Sequence, residues 1–184
     1  EDQQDTFTDL GILMVLIIIL VFIVMAAQFE SLVDPFVIMF SIPFAFTGIV
    51  LGLAVTQTPL GVMALIGVIM LMGIVVKNGI VLIDYTILCR ERGMGIITSV
   101  VTAGKSRLRP VLMTTLTTVL GMIPMAVGTG EGSEMWRSMG MTVAWGLSVS
   151  TLITLIIVPT VYAVFAANGV KRRRRKIRKA LRNN

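Results

Sequence analysis

The sequence predicts an all-α polytopic membrane helix bundle, with five transmembrane helices and one short cytoplasmic interfacial helix. Three observations predict it: composition, uncharged runs of spanning length, and clustered basic residues. Of 184 residues, 55% are hydrophobic and 14% charged, and the mean hydropathy of +0.91 lies outside the range of ordinary soluble domains. Residues 10–27, 35–76, 110–130 and 138–170 contain no charge at all. Crossing about 30 Å of hydrocarbon takes roughly 20 apolar residues at about 1.5 Å each, so 35–76 is long enough to cross twice.

The spans follow in order. Residues 1–9 read as a periplasmic leader. A cleaved secretory signal would open with basic residues, and this leader instead carries Glu1, Asp2, Asp5 and Asp9. Position 1 is Glu rather than Met, which reads as a piece of a longer chain. The first span is expected at about 10–28, stopped by Gln28-Phe29-Glu30-Ser31. Asp34-Pro35 then opens the second, at about 35–55, because proline fits a first helical turn. Pro43 should kink that helix, since it lacks an N–H and its ring clashes with the preceding turn. The turn Thr56-Gln57-Thr58-Pro59 ends it.

A third span, about 60–91, is rich in Gly and Met and holds Lys77, Asn78 and Asp84. Residues 93–104 are too short and polar to cross, and read as the interfacial helix. The fourth span is expected at about 108–128, before the loop Thr129-Gly130-Glu131-Gly132-Ser133-Glu134. The fifth is expected at about 136–167, with Pro159 in its last third. The transmembrane bundle thus covers 10–170, and a basic tail covers 171–184.

Short basic loops stay on the cytoplasmic side. Residues 89–109 hold five basic residues and one acid, and 171–182 hold nine basic residues. Two spans separate the two clusters, so both lie inside. The N-terminus and the Thr58 and Glu131 loops then lie outside, and the C-terminus is cytoplasmic. Next to a membrane span, the tail is explained by topology and anionic lipid, not nucleic acid. Cys89 is the single cysteine and forms no internal disulfide.

Lys77 falls midway along the third span, where a lysine costs roughly 2.5 to 3.5 kcal/mol. It either ties helices together or relays protons. Asp84 is on the same helical face but about 10 Å along the axis, too far for direct pairing. Gly73 and Gly79 permit close approach of a neighbouring helix. Arg107, Thr114, Thr118 and Gly121, spaced by seven, four and three residues, form one stripe of the fourth span. The threonines line a polar path or bond their own backbone carbonyls. No nucleotide loop, metal-ligand cluster or nucleophile constellation appears, and there is no histidine. This excludes common enzyme classes and bound ATP, and expects no cofactor and no metal.

The block Gly73-Ile74-Val75-Val76-Lys77-Asn78-Gly79-Ile80-Val81-Leu82-Ile83-Asp84-Tyr85 resembles the tenth transmembrane helix of resistance-nodulation-division (RND) efflux pumps. Arg107-Leu108-Arg109-Pro110-Val111-Leu112-Met113-Thr114-Thr115 matches in sequence and spacing. So do Phe29-Glu30-Ser31 with Asp34-Pro35, the 128–133 loop, and Val158-Pro159. Over nearly its whole length the chain looks like spans eight to twelve of the hydrophobe/amphiphile efflux branch. The resemblance implies a drug/proton antiporter of the bacterial inner membrane, driven by the proton gradient, that exports amphiphilic compounds. It implies a proton relay of Lys77, Asn78, Thr114, Arg107 and Asp84, whose aspartate pair lies on an N-terminal part absent from this sequence. It also implies a homotrimer, with membrane lipid, a periplasmic adaptor and an outer-membrane channel as partners. The alternatives are the heavy-metal branch, which the 13 methionines favour although they scatter through the spans as gap fillers, and a non-transporting scaffold or translocase accessory.

Overall fold

The computed structural model describes the backbone of residues 2–182 and the side chains of 4–167. The described residues form helices and contain no strand: α1 (Asp2–Phe29), α2 (Val33–Met39), α3 (Ile42–Thr56), α4 (Val62–Glu91), α5 (Ile96–Val127) and α6 (Ser133–Arg182). Five segments are long and apolar enough to cross a membrane: Gln4–Phe29, Val33–Thr56, Val62–Glu91, Ile96–Val127 and Ser133–Ala167. The basic side chains of the tail lie outside the described residues, as does Glu1.

Three features depart from the sequence expectation. The acidic leader is helical from Asp2, continuous with the first span; an acid such as Asp5 near a helix N-terminus is favoured by the macrodipole. The expected kink at Pro43 takes the form of a two-residue interruption, with Phe40 and Ser41 still in the helical region. α2 stops at Met39, four residues before the proline, where the ring would strike the helical carbonyl. Tighter bonds bridge the gap: Ser41 donates its N–H to the Ile38 carbonyl at 3.0 Å and its Oγ–H to the same oxygen at 2.6 Å. Pro43 then sits in the first turn of α3. The interfacial helix begins at Ile96 and runs unbroken into the fourth span, because Gly104 and Pro110 are single interruptions in an otherwise helix-competent run.

Turns carry the conformations their residues permit. Glu30 and Gln57 close α1 and α3 in the left-handed region at φ 48° and 49°. After α4, Gly93 adopts φ 86°, and Met94 donates its N–H back to the Cys89 carbonyl at 3.3 Å.

α6 is the centre, packing on α3, α4 and α5, whereas α1 touches only α2 and α4 among the stronger contacts. Its neighbours bring Ile49, Leu71, Val75 and Ala103 to the core, with Leu147 and Val158 from α6 itself. The interior also holds hydroxyls: Ser99, Thr142, Ser150 and Thr151 are buried and hydrogen-bonded while Ile12, Leu16, Ile19 and Ile23 of α1 lie more than half exposed. That inversion suits lipid, where apolar side chains gain nothing by hiding and association rests on close packing and satisfied polar groups. Thr142 and Thr86 donate to the carbonyls four residues back, each at 2.8 Å.

Candidate functional site

Lys77 stands at the midpoint of the 30-residue α4, about 22 Å from either end. Its side chain is exposed, on a stripe with Met70, Gly73, Asp84 and Leu88 that faces away from the other helices. The opposite face, with Leu71, Val75, Leu82 and Ile83, is in the core. Among the described residues no carboxylate pairs with Lys77. Asn78 is 100° round the helix and buried, 8% exposed, so the two adjacent polar residues serve different faces. Asp84 shares the outward stripe with Lys77.

α4 and α5 are joined by four residues and pack on one another, so they run antiparallel. Arg107 lays its guanidinium over the Tyr85 ring, 4.7 Å from the centroid. Its Nε is buried without a hydrogen-bond partner. This contact sets the register: seven residues further on, about 10 Å deeper, Thr114 comes within about a helical turn of the level of Lys77. Thr114 is exposed too. Its hydroxyl donates to the Pro110 carbonyl at 3.0 Å, and Thr118 donates to the Thr114 carbonyl at 2.8 Å. These hydroxyls bond their own helix, and no polar path between helices forms along that stripe among the described residues. Gly121 has nothing within 4 Å of the position a Cβ would take.

The helix-to-helix hydroxyl contact is Thr115 to Thr151, at 3.0 Å in the α5–α6 interface. Sequence spacing gave no sign of it, nor of Tyr85 as the platform for Arg107, nor of Arg90 donating from Nη1 to the Tyr162 hydroxyl at 3.1 Å. Replacing Thr115 by Val should cost about 0.6 kcal/mol, the mean for such bonds in a membrane bundle. Thermal unfolding in detergent, compared with the Thr151→Val single and the double variant, checks the pairing: the double should lose no more than either single.

Of the predicted residues, then, Lys77, Asp84 and Thr114 lie on outward faces. Arg107 is half-buried against Tyr85, and Asn78 turns inward. Gly79 receives Ile38 of α2, whose Cγ2 lies 2.8 Å from a built Cβ, whereas Gly73, one turn from Lys77, has nothing within 4 Å. Lys77 and the open side of Gly73 thus share one exposed stretch of α4.

A family model described as the AcrB/AcrD/AcrF family matches residues 1–166. Swarming motility protein SwrC of Bacillus subtilis is 43% identical over 166 residues, covering 90% of this chain and 16% of that protein. Cobalt-zinc-cadmium resistance protein CzcA of Cupriavidus metallidurans is 36% identical over 162 residues, covering 88% of this chain and 15% of CzcA. Multidrug resistance protein MdtC of Proteus mirabilis is 35% identical over 171 residues, covering 92% and 16%. A crystal structure of a heavy metal efflux pump superposes with a TM-score of 0.82 at 30% identity, covering 91% of this chain and 16% of that one. The chain therefore spans about 16% of the length of these proteins.

Proposed function

Because the chain belongs to the AcrB/AcrD/AcrF family of RND transporters, we propose that it is the C-terminal membrane part of a proton-driven antiporter that exports amphiphilic compounds. The observation that carries this reading is Lys77, mid-span, outward-facing and without a carboxylate among the described residues. Such a charge is stable in a bilayer when another helix supplies an acid, and a carboxylate that alternately takes and releases a proton would alternately release and hold the lysine.

In this mechanism a helix bearing paired aspartates lies along the α4 stripe, with Gly73 admitting its backbone. The deprotonated acids hold Lys77. Protonation frees the ammonium, which swings toward Thr114 or Asp84 on the same outward surfaces. Arg107, held on Tyr85, ties α5 to α4 so that they shift together, while Asn78 anchors α4 to the interior. The energy source is the proton gradient, with no bound cofactor and no enzymatic chemistry. The transporter sits in the bacterial inner membrane with its C-terminus in the cytoplasm. It works as a trimer with a periplasmic adaptor and an outer-membrane channel.

Inverted vesicles containing the full-length transporter test the reading. Proton-dependent uptake of an amphiphilic dye is expected, abolished by a protonophore; a non-transporting scaffold would give none. A heavy-metal substrate is the second reading, favoured by the likeness to the heavy metal efflux pump structure and to CzcA. Transport of zinc or cobalt ions in those vesicles, without dye transport, would establish it in place of the first.

A further inference from the structure

At the end of the bundle that carries Arg90, Arg92 and Lys105, a cleft of about 1020 Å³ opens between the α1–α2 turn, the α4–α5 turn and α6. It is lined by Phe29, Asp34, Arg90, Glu91, Tyr162 and Phe165, among others. Its volume is at the upper end of the roughly 300 to 1,000 Å³ of ligand pockets. Three uncharged runs end near it: α1 stops at Phe29, the apolar part of α4 gives way to Arg90, and the last uncharged run of the sequence closes at Val170. Where apolar runs give way to charge is where hydrocarbon is expected to meet headgroups.

The cleft carries both signs of charge. Arg90 is oriented by its 3.1 Å hydrogen bond to the buried Tyr162 hydroxyl, which leaves other guanidinium N–H groups for an anion. Asp34, half-buried, and Glu91, exposed, supply the carboxylates. No ion pair within 4 Å forms between these groups. The mouth is apolar: Phe165, which lines the cleft together with Phe29 at the end of α1, meets Phe36 edge to face with centroids 6.3 Å apart, and both of these rings are well exposed. A free phosphate would meet Arg90 but leave the carboxylates and the aromatic mouth unmatched.

We propose that this cleft binds an aminophospholipid of the phosphatidylethanolamine type from the cytoplasmic leaflet, its phosphate on Arg90, its ammonium on Asp34 and its acyl chains along Phe36, Phe165 and α1. The assignment to that leaflet rests on the orientation proposed above. Charge complementarity selects the occupant, since phosphatidylcholine has no N–H to donate to Asp34 and phosphatidylglycerol has no cation.

The test is native mass spectrometry of the full-length transporter from nanodiscs of equal parts phosphatidylethanolamine and phosphatidylcholine, after mild delipidation. Retention of phosphatidylethanolamine is expected to exceed that of phosphatidylcholine about tenfold, what one charge-assisted hydrogen bond supplies. Asp34→Asn should bring the ratio close to one without reducing phosphatidylglycerol retention from a parallel nanodisc, and Arg90→Gln should lower retention of all three. Lys77→Ala should leave the tenfold ratio intact, so failure of the coupling reading and failure of this one are read separately. Equal retention of the two lipids by the parent, a ratio unmoved by Asp34→Asn, or a cleft that retains no lipid because another protein segment fills it would each overturn the proposal.

Discussion

Lys77→Ala in the full-length transporter should abolish proton-dependent efflux while leaving the protein in the membrane at or above the parent level. The two halves of that expectation have separate physical origins. For insertion, a lysine at mid-span costs roughly 2.5 to 3.5 kcal/mol, and alanine removes the cost. The side chain contributes no packing within this bundle either, since it is exposed and the core lies on the opposite face of α4. For transport, the ammonium is the mid-membrane cation of these spans, and no neighbouring side chain replaces it: Asn78 points inward and Arg107 is engaged with Tyr85. A loss of transport of at least a hundredfold is expected, measured as initial dye uptake in inverted vesicles at matched protein amounts. Retained efflux would remove Lys77 from the mechanism. Loss of the protein from the membrane would show instead that it holds helices together.

The C-terminal ends of the first four spans were the most legible part of the fold, each within a residue of its expected place, whereas the starts of α1 and α5 were not. α4 was expected at 60–91 and runs Val62–Glu91, because the Thr56 to Pro59 turn and Gly93 bound it chemically. The interruption before Pro43 was legible only as a kink: proline marks where a ladder bond is lost, but whether the helix bends or stops depends on how Ser41 and its neighbours satisfy the freed groups. The depth of Lys77 could be counted from the span ends. Its direction could not, because α4 is apolar nearly all round and leaves periodicity no polar side by which to orient it. Pairs such as Arg107 with Tyr85, Thr115 with Thr151 and Arg90 with Tyr162 join different helices, and one-dimensional spacing says nothing of which faces meet.

The same limit hid the glycines that hold the bundle together, and these give the second large effect. Gly48 and Gly52, four residues apart on α3, form the strip on which α6 lies. A Cβ built at Gly48 comes within 2.7 Å of Val149 Cβ and 3.3 Å of Gly146 Cα, and one built at Gly52 collides with the Cβ and Cγ of Trp145. A Cβ is fixed to its backbone, so no rotamer change relieves these contacts and α3 must move off α6. With apolar side chains equally at home in lipid, that separation forfeits the close contacts on which association depends. Gly52→Leu should therefore destabilise the transporter by about 3 kcal/mol, the upper end for overpacking, and lower both its unfolding temperature in detergent and its amount in the membrane. Gly73→Ala is the contrast: nothing lies within 4 Å of its Cβ, and alanine is the better helix former by roughly 0.5 to 1 kcal/mol. Stability should hold there while Gly73→Leu still impairs efflux, since the proposed aspartate-bearing helix approaches on that face. A Gly52→Leu protein as stable as the parent would mean that α3 and α6 do not pack this closely. Undiminished efflux in Gly73→Leu would mean that no helix crosses beside Lys77.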